Sequence, residues 1–186
     1  MANLYEIKEK VITSKKAVFT TKQLSNLISK SVQITNTYIS RMVLKDLAIR
    51  KNGKVIFSND DNVIGTQFID PSYISLSSAL FFHQIINQVP QVTSCVTTIN
   101  SRNYKELGLK YHKITPKLFF GFKKYNLDFS FAYIADIEKA ILDGIYLKIY
   151  TKEILIEYKK HINYKLLEKY SKKYPKNVKE AVLSVK

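Results

Sequence analysis

Thr20–Phe57 reads TTKQLSNLISKSVQITNTYISRMVLKDLAIRKNGKVIF, and the signals inside this stretch decide the fold. Thr20 and Gln23 stand at the spacing of a capping box, and Phe19 and Leu24 at that of a hydrophobic staple. Leu24, Leu27 and Ile28 continue one apolar face over about two turns. Lys30-Ser31 interrupts it. A second helix is predicted from about Gln33 or Thr35 to Leu47. At about 100° per residue, Thr35, Ile39, Met42, Val43 and Leu47 fall on one side. Gln33, Thr37, Ser40, Arg41 and Lys45 fall on or near the other, with Tyr38 at the border. Asn52-Gly53 then predicts a two-residue hairpin, because both central positions of a type I′ turn need positive φ. Arg50, Lys51 and Lys54 flank its tip.

Helix, turn, helix and ribbon in that order are the plan of a winged helix-turn-helix. Residues 3–14 supply its first helix, with Leu4, Ile7, Val11 and Ile12 at helical spacing. Such a unit is expected to bind duplex DNA. Gln33, Thr37 and Arg41 are the candidates for base edges, since an arginine fork matches two acceptors on guanine. Lys22, Lys45, Arg50, Lys51 and Lys54 would hold phosphates, and Tyr38 would either contact DNA or join the core. The alternative is a small helical subdomain with a solvated basic face, or one that contacts protein.

Charge is distributed consistently with a polyanion partner. The 186 residues carry a formal +15 and a pI of about 9.7. Residues 1–58 hold 11 Lys/Arg against 3 Asp/Glu, residues 59–147 hold 8 against 8, and residues 148–186 hold 11 against 4. A neutral middle is thus bracketed by two basic ends. For the second end, a merely solubilising lysine surface is the competing explanation. Hydrophobic residues make up 46%, enough for a core. The lone Cys95 lies in an apolar run and is expected to be a buried thiol in a reducing cytoplasm. No apolar run approaches the ~18 residues of a spanning helix, and the N-terminal segment lacks a signal-peptide core. A cytoplasmic protein with no membrane association is expected.

Beyond the hairpin, Ser58–Asn62 is the expected domain boundary, dividing residues 1–60 from residues 63–186. Val63–Ile69 is predicted as a strand. Ser75 or Ser77 would cap a helix running to about Asn87, with Leu76, Leu80, Phe81 and Ile85 inward. Gln91–Asn100 is predicted as a strand, and 109–115, 117–122 and 127–133 as an antiparallel meander. A helix beginning at Ala135 carries Ile137, Ile141, Ile145 and Ile149. In it Lys139 and Asp143 are spaced to form a surface pair worth a few tenths of a kcal/mol. Residues from about 151 to 186 are predicted as a lysine-rich tail of short amphipathic helices. The fold class is α+β: an N-terminal winged helix-turn-helix, then a mainly antiparallel sheet with flanking helices and this tail.

Three stretches together resemble the AbiEi family of antitoxins from type IV, abortive-infection toxin–antitoxin systems. They are the N-terminal winged helix; Tyr73–His83 with Ser77, Ala79, Leu80 and His83, followed by Val89-Pro90 and a Val/Thr-rich strand; and Ala135–Asp143 with Glu138, Lys139, Leu142 and Asp143. Ile137 stands where related sequences usually carry proline, a change that should be tolerated because proline there only pre-sets φ. The resemblance implies a repressor that binds inverted repeats in its own promoter. It also implies a C-terminal antitoxin domain acting against a nucleotidyltransferase-like toxin without a stable complex.

Catalytic patterns are weak by comparison. Glu138 and Asp143 are five apart and are expected to be helix-terminal and surface charges. His83 is expected to be part-buried and hydrogen-bonded. Ser75, Ser77 and Ser78 have the look of caps, and there is no G-x-S-x-G elbow or glycine-rich phosphate loop. A binding protein is expected, not an enzyme, with no cofactor or metal. Two other functions stay open: a stand-alone regulator whose second domain senses a ligand or dimerises, and an RNA-binding protein whose aromatic rings stack bases.

Overall fold

The structure is a computed structural model that describes residues 3–184. The outermost residues of the two expected domain ranges lie outside the described residues. The chain is α+β.

Helix α1 (Leu4–Thr13) is closed at its start by Asn3 and Glu6 in a reciprocal capping box and buries Ile7 and Val11. A short strand β1 (Val18–Thr20) runs into α2 (Thr21–Ile28). Thr20 accepts from Gln23 N there, and the Gln23 side chain reaches back to Thr20 N at 2.9 Å. Ser29 ends α2 in the left-handed region (φ 54°), and Ser31 caps α3 (Val32–Leu44). The hairpin β2 (Ile49–Lys51) and β3 (Lys54–Ile56) turns at Asn52 and Gly53, with φ of 49° and 74°. β3 is central, pairing antiparallel with β1 and β2. Ile7, Leu24, Ile28, Ile39, Met42 and Val55 make the core of this unit. Because the Thr20 box satisfies donors that the first turn cannot, Thr20→Ala is expected to cost about 1 kcal/mol in denaturant unfolding. A change below a few tenths would show that tertiary packing alone holds α2.

Several predicted elements differ from those observed. α3 stops at Leu44, so Leu47 lies beyond it and is half-buried, and Val43 is exposed. Val63–Ile69 is not a strand. Asp60 accepts from Asn62 N and Val63 N and so caps a helix, α4 (Asp61–Phe68). All of Val63–Phe68 is buried, so solvent imposes no periodicity on this segment. The helix after β4 (Ser72–Ile74) is α5 (Leu76–Phe82), which ends before Gln84 turns left-handed and leaves Phe81 exposed.

The predicted meander is instead a mixed sheet. It uses β4, β5 (Thr93–Thr97), β6 (Arg102–Tyr104), β7 (Leu109–Lys113), β8 (Phe122–Leu127) and β9 (Ser130–Ala135). Their order is β6-β7-β5-β4-β9-β8, with β5/β7 and β4/β9 parallel. The segment 117–122 is largely a 3-10 turn and loop leading into β8. Ile134, Ile74, Cys95 and Tyr111 lie in register across the sheet. α4 packs on that row, and the approach is close: a Cβ on Gly65 would stand 2.8 Å from Cys95 Sγ. Tyr73, of opposite parity, points to the other face, where α6 (Ile137–Tyr146) lies.

The tail helices α7 (Ile154–Glu157), α8 (Tyr164–Ser171) and α9 (Lys176–Leu183) pack on α6 and complete the larger core through Leu155, Leu167, Val178 and Val182. The 58–62 segment is no loose linker. Ser58 is buried and donates to Asp128, Gln67 Oε1 accepts from Ala17 N, and Ser130 donates to Lys15 O. The two units are therefore joined by one buried and two part-buried hydrogen bonds. No helix among the described residues is long and apolar enough to cross a membrane.

Candidate nucleic-acid interface

The register of α3 sorts its side chains by environment. Thr35, Tyr38, Ile39 and Met42 are buried. Gln33, Thr37, Ser40, Arg41 and Lys45 are all exposed, as are Lys22 on α2 and Arg50 on the hairpin. Among the described residues, Lys22, Arg41, Lys45 and Arg50 form no ion pair. A helix face with three amide or hydroxyl side chains and two unpaired cations can present donors to base edges and phosphates.

Three expected contacts are altered. Tyr38 is only 7% exposed and packs in the core, so its ring is not available to DNA. Lys51 is half-buried and pairs with Glu106 at 2.9 Å. Lys54 is half-buried, donates to the Phe68 carbonyl, and lies 5.0 Å from the centre of the Phe68 ring. Burial, and secondarily Lys16, lower its pKa, while Asp70 acts in the opposite sense. The hairpin is thus tied to the larger unit by two of its three cations. Sequence alone carries no sign of Glu106 as a partner, because it lies 55 residues from Lys51. Ile34, on the first turn of α3 and 47% exposed, also escaped notice; it could meet a thymine methyl.

On the opposite face of the larger sheet, two of the residues that carry the AbiEi resemblance meet. Asp143 and Lys139, expected at the surface, are fully buried and ion-paired to one another. Asp143 Oδ2 accepts from Tyr73 OH at 2.8 Å and Ser75 Oγ at 2.9 Å, and Oδ1 accepts from Tyr174 OH at 2.7 Å. Lys139 also donates to Tyr174 and has the rings of Tyr73, Phe120 and Tyr174 around it. Burial lowers the Lys139 pKa against the opposing pull of Asp143, and raises the phenols of Tyr73 and Tyr174.

Glu138, also expected outside, is buried and accepts from Asn163 N at 2.7 Å, holding the start of α8. Asp136 accepts from Tyr170, whose phenol is pushed up to about 12. The acidic residues of α6 therefore fasten the tail. Ala79, Leu80 and Leu142 are core, and half-buried Ser77 lines a surface pocket together with Tyr150. His83 is part-buried and its Nε2 donates to Ala135 O at 2.8 Å, as expected of a structural histidine. Cys95 is buried, and burial raises its pKa. No protein-family model matches the chain, and no curated protein matches it.

Proposed function

We propose that α1–α3 with the three-stranded sheet form a winged helix-turn-helix that binds duplex DNA. The chain then acts as a transcriptional repressor of the AbiEi antitoxin kind. It sits on inverted repeats in its own promoter and is paired functionally with a nucleotidyltransferase-like toxin. The observation that supports this best is the division of α3, with Thr35, Ile39 and Met42 buried against a wholly exposed Gln33, Thr37, Ser40, Arg41, Lys45 side. Base readout would come from Gln33, Thr37 and Arg41, and phosphate contacts from Lys22, Lys45 and Arg50, with Lys51 recruited when it leaves Glu106. The buried Asp143 cluster gives the C-terminal unit a rigid frame for the antitoxin role.

The deciding experiment is a mobility-shift titration on the DNA upstream of the protein's own reading frame, against scrambled duplex and single-stranded RNA at one salt concentration. Preference for the upstream duplex is expected. With about three or four phosphates neutralised by Lys22, Lys45, Arg50 and a released Lys51, the log–log salt slope should lie at about −3 to −4. Equal affinity for RNA would overturn the repressor assignment, and a neighbouring frame unlike a nucleotidyltransferase would remove the antitoxin part.

Glu106→Gln provides a second check. The Lys51–Glu106 pair is exposed, with side-chain exposures of 41% and 72%, so it is weak. Releasing Lys51 is expected to tighten binding to all duplexes by about two- to fivefold and to steepen the salt slope by about one. No change would place the hairpin away from the DNA.

A further inference from the structure

A cleft of about 270 Å3 opens where the hairpin meets the larger unit. Lys54 of β3, Phe68 at the end of α4, Asp70 after it, Ile99 after β5, and Arg102 and Tyr104 of β6 line it. Its volume is near the lower end of the range for small-molecule sites, roughly 300–1,000 Å3.

The chemistry of its walls is specific. Arg102 and Asp70 are charges of opposite sign in one cleft, yet among the described residues neither forms an ion pair or a side-chain hydrogen bond. The Lys54 ammonium stands at the same wall, partly withdrawn from water and held to a neutral carbonyl. Tyr104 is half-buried and meets Phe68 edge-on at 4.9 Å, and Ile99 is 45% exposed. The cleft therefore offers an arginine fork and an ammonium for an anion, an apolar wall for a ring, and at its exposed rim the Asp70 carboxylate as an acceptor.

We infer that this cleft binds a nucleoside monophosphate. The phosphate would lie between Arg102 and Lys54, the base along Tyr104 and Ile99, and a ribose hydroxyl or exocyclic amine would donate to Asp70. Inorganic phosphate supplies no ring, and a nucleoside supplies no anion. A dinucleotide exceeds the space. This site is separate from the α3 face and does not depend on the DNA assignment.

Isothermal titration of the full chain with AMP, GMP, CMP and UMP singly, with inorganic phosphate and with adenosine tests the inference. At least one nucleotide is expected to bind about tenfold or more tighter than phosphate and adenosine. Arg102→Ala should weaken it by about tenfold or more, since charge-assisted bonds are the strong ones. Asp70→Asn should change which base is preferred. Because Arg102 is exposed, thermal melting should show its variant folded like wild type. Nucleotide heats equal to those of phosphate, nucleotide binding indifferent to Arg102→Ala, or no heat at millimolar ligand would each overturn the site. These results stand whether or not the protein shifts DNA.

Discussion

Asp143→Asn is expected to lower the stability of the protein by about 3–5 kcal/mol, read as a drop in the urea midpoint followed by circular dichroism. Asp143 accepts from four donors on three parts of the chain: Tyr73 and Ser75 around β4, Lys139 one turn earlier in α6, and Tyr174 after α8. An amide in its place removes the charge that Lys139 needs and turns two donor hydrogens toward groups that themselves donate. Lys139 has no route to water, being fully buried under Phe120 and Tyr174. An exposed i,i+4 pair would cost a few tenths of a kcal/mol, so the two locations are easily separated. Lys139→Met with Asp143→Asn should cost less than the sum of the single changes, because the orphaned charge is then gone. Strict additivity would mean that the two side chains are not coupled. Tyr174→Phe should cost about 1–2 kcal/mol and expose the tail to protease before the rest of the chain.

Arg41→Ala is expected to remove about 1–3 kcal/mol of discrimination between the upstream operator and scrambled duplex, while affinity for the scrambled duplex falls much less. Arg41 is exposed and unpaired among the described residues, so the fold should be unaffected. The contrasting variant is Lys22→Ala with Arg50→Ala. Those two cations are free of ion pairs among the described residues, whereas Lys51 is ion-paired and Lys54 is held to a carbonyl, and their loss should weaken all duplexes alike and flatten the salt slope by about two. If Arg41→Ala lost affinity for both duplexes equally, Arg41 would be a phosphate contact, and base readout would have to come from the first turn, around Gln33, Ile34 and Thr37.

Local structure in the first 57 residues was legible because its determinants lie within four positions of one another. Thr20 and Gln23, and Asn52 and Gly53, each close a hydrogen bond or set a dihedral with a near neighbour, whereas Ser31, read only as part of a break, is the cap of α3. The mixed sheet was less so. A strand's partner is chosen by packing across long loops, and residues 109–135 carry no mark that β5 will pair with β7 in parallel. Val63–Phe68 misled for a related reason. Its β-branched run suits a strand, but burial on every side and the Asp60 cap make it a helix.

What the amino-acid order determined by itself is the pair of helices α2 and α3, the hairpin after them and the polar side of α3, since caps, turn dihedrals and a period of about 3.6 residues are short-range. What only the tertiary structure decided is the fate of individual charges. Lys51 and Lys54 are drawn to the larger unit, Tyr38 goes inward, and Lys139, Asp143 and Glu138 lie under the tail instead of on the surface. The reason is physical: whether a side chain meets water depends on where distant elements come to rest, and Glu106, Asn163 and Tyr174 reach their partners only after the chain has closed on itself.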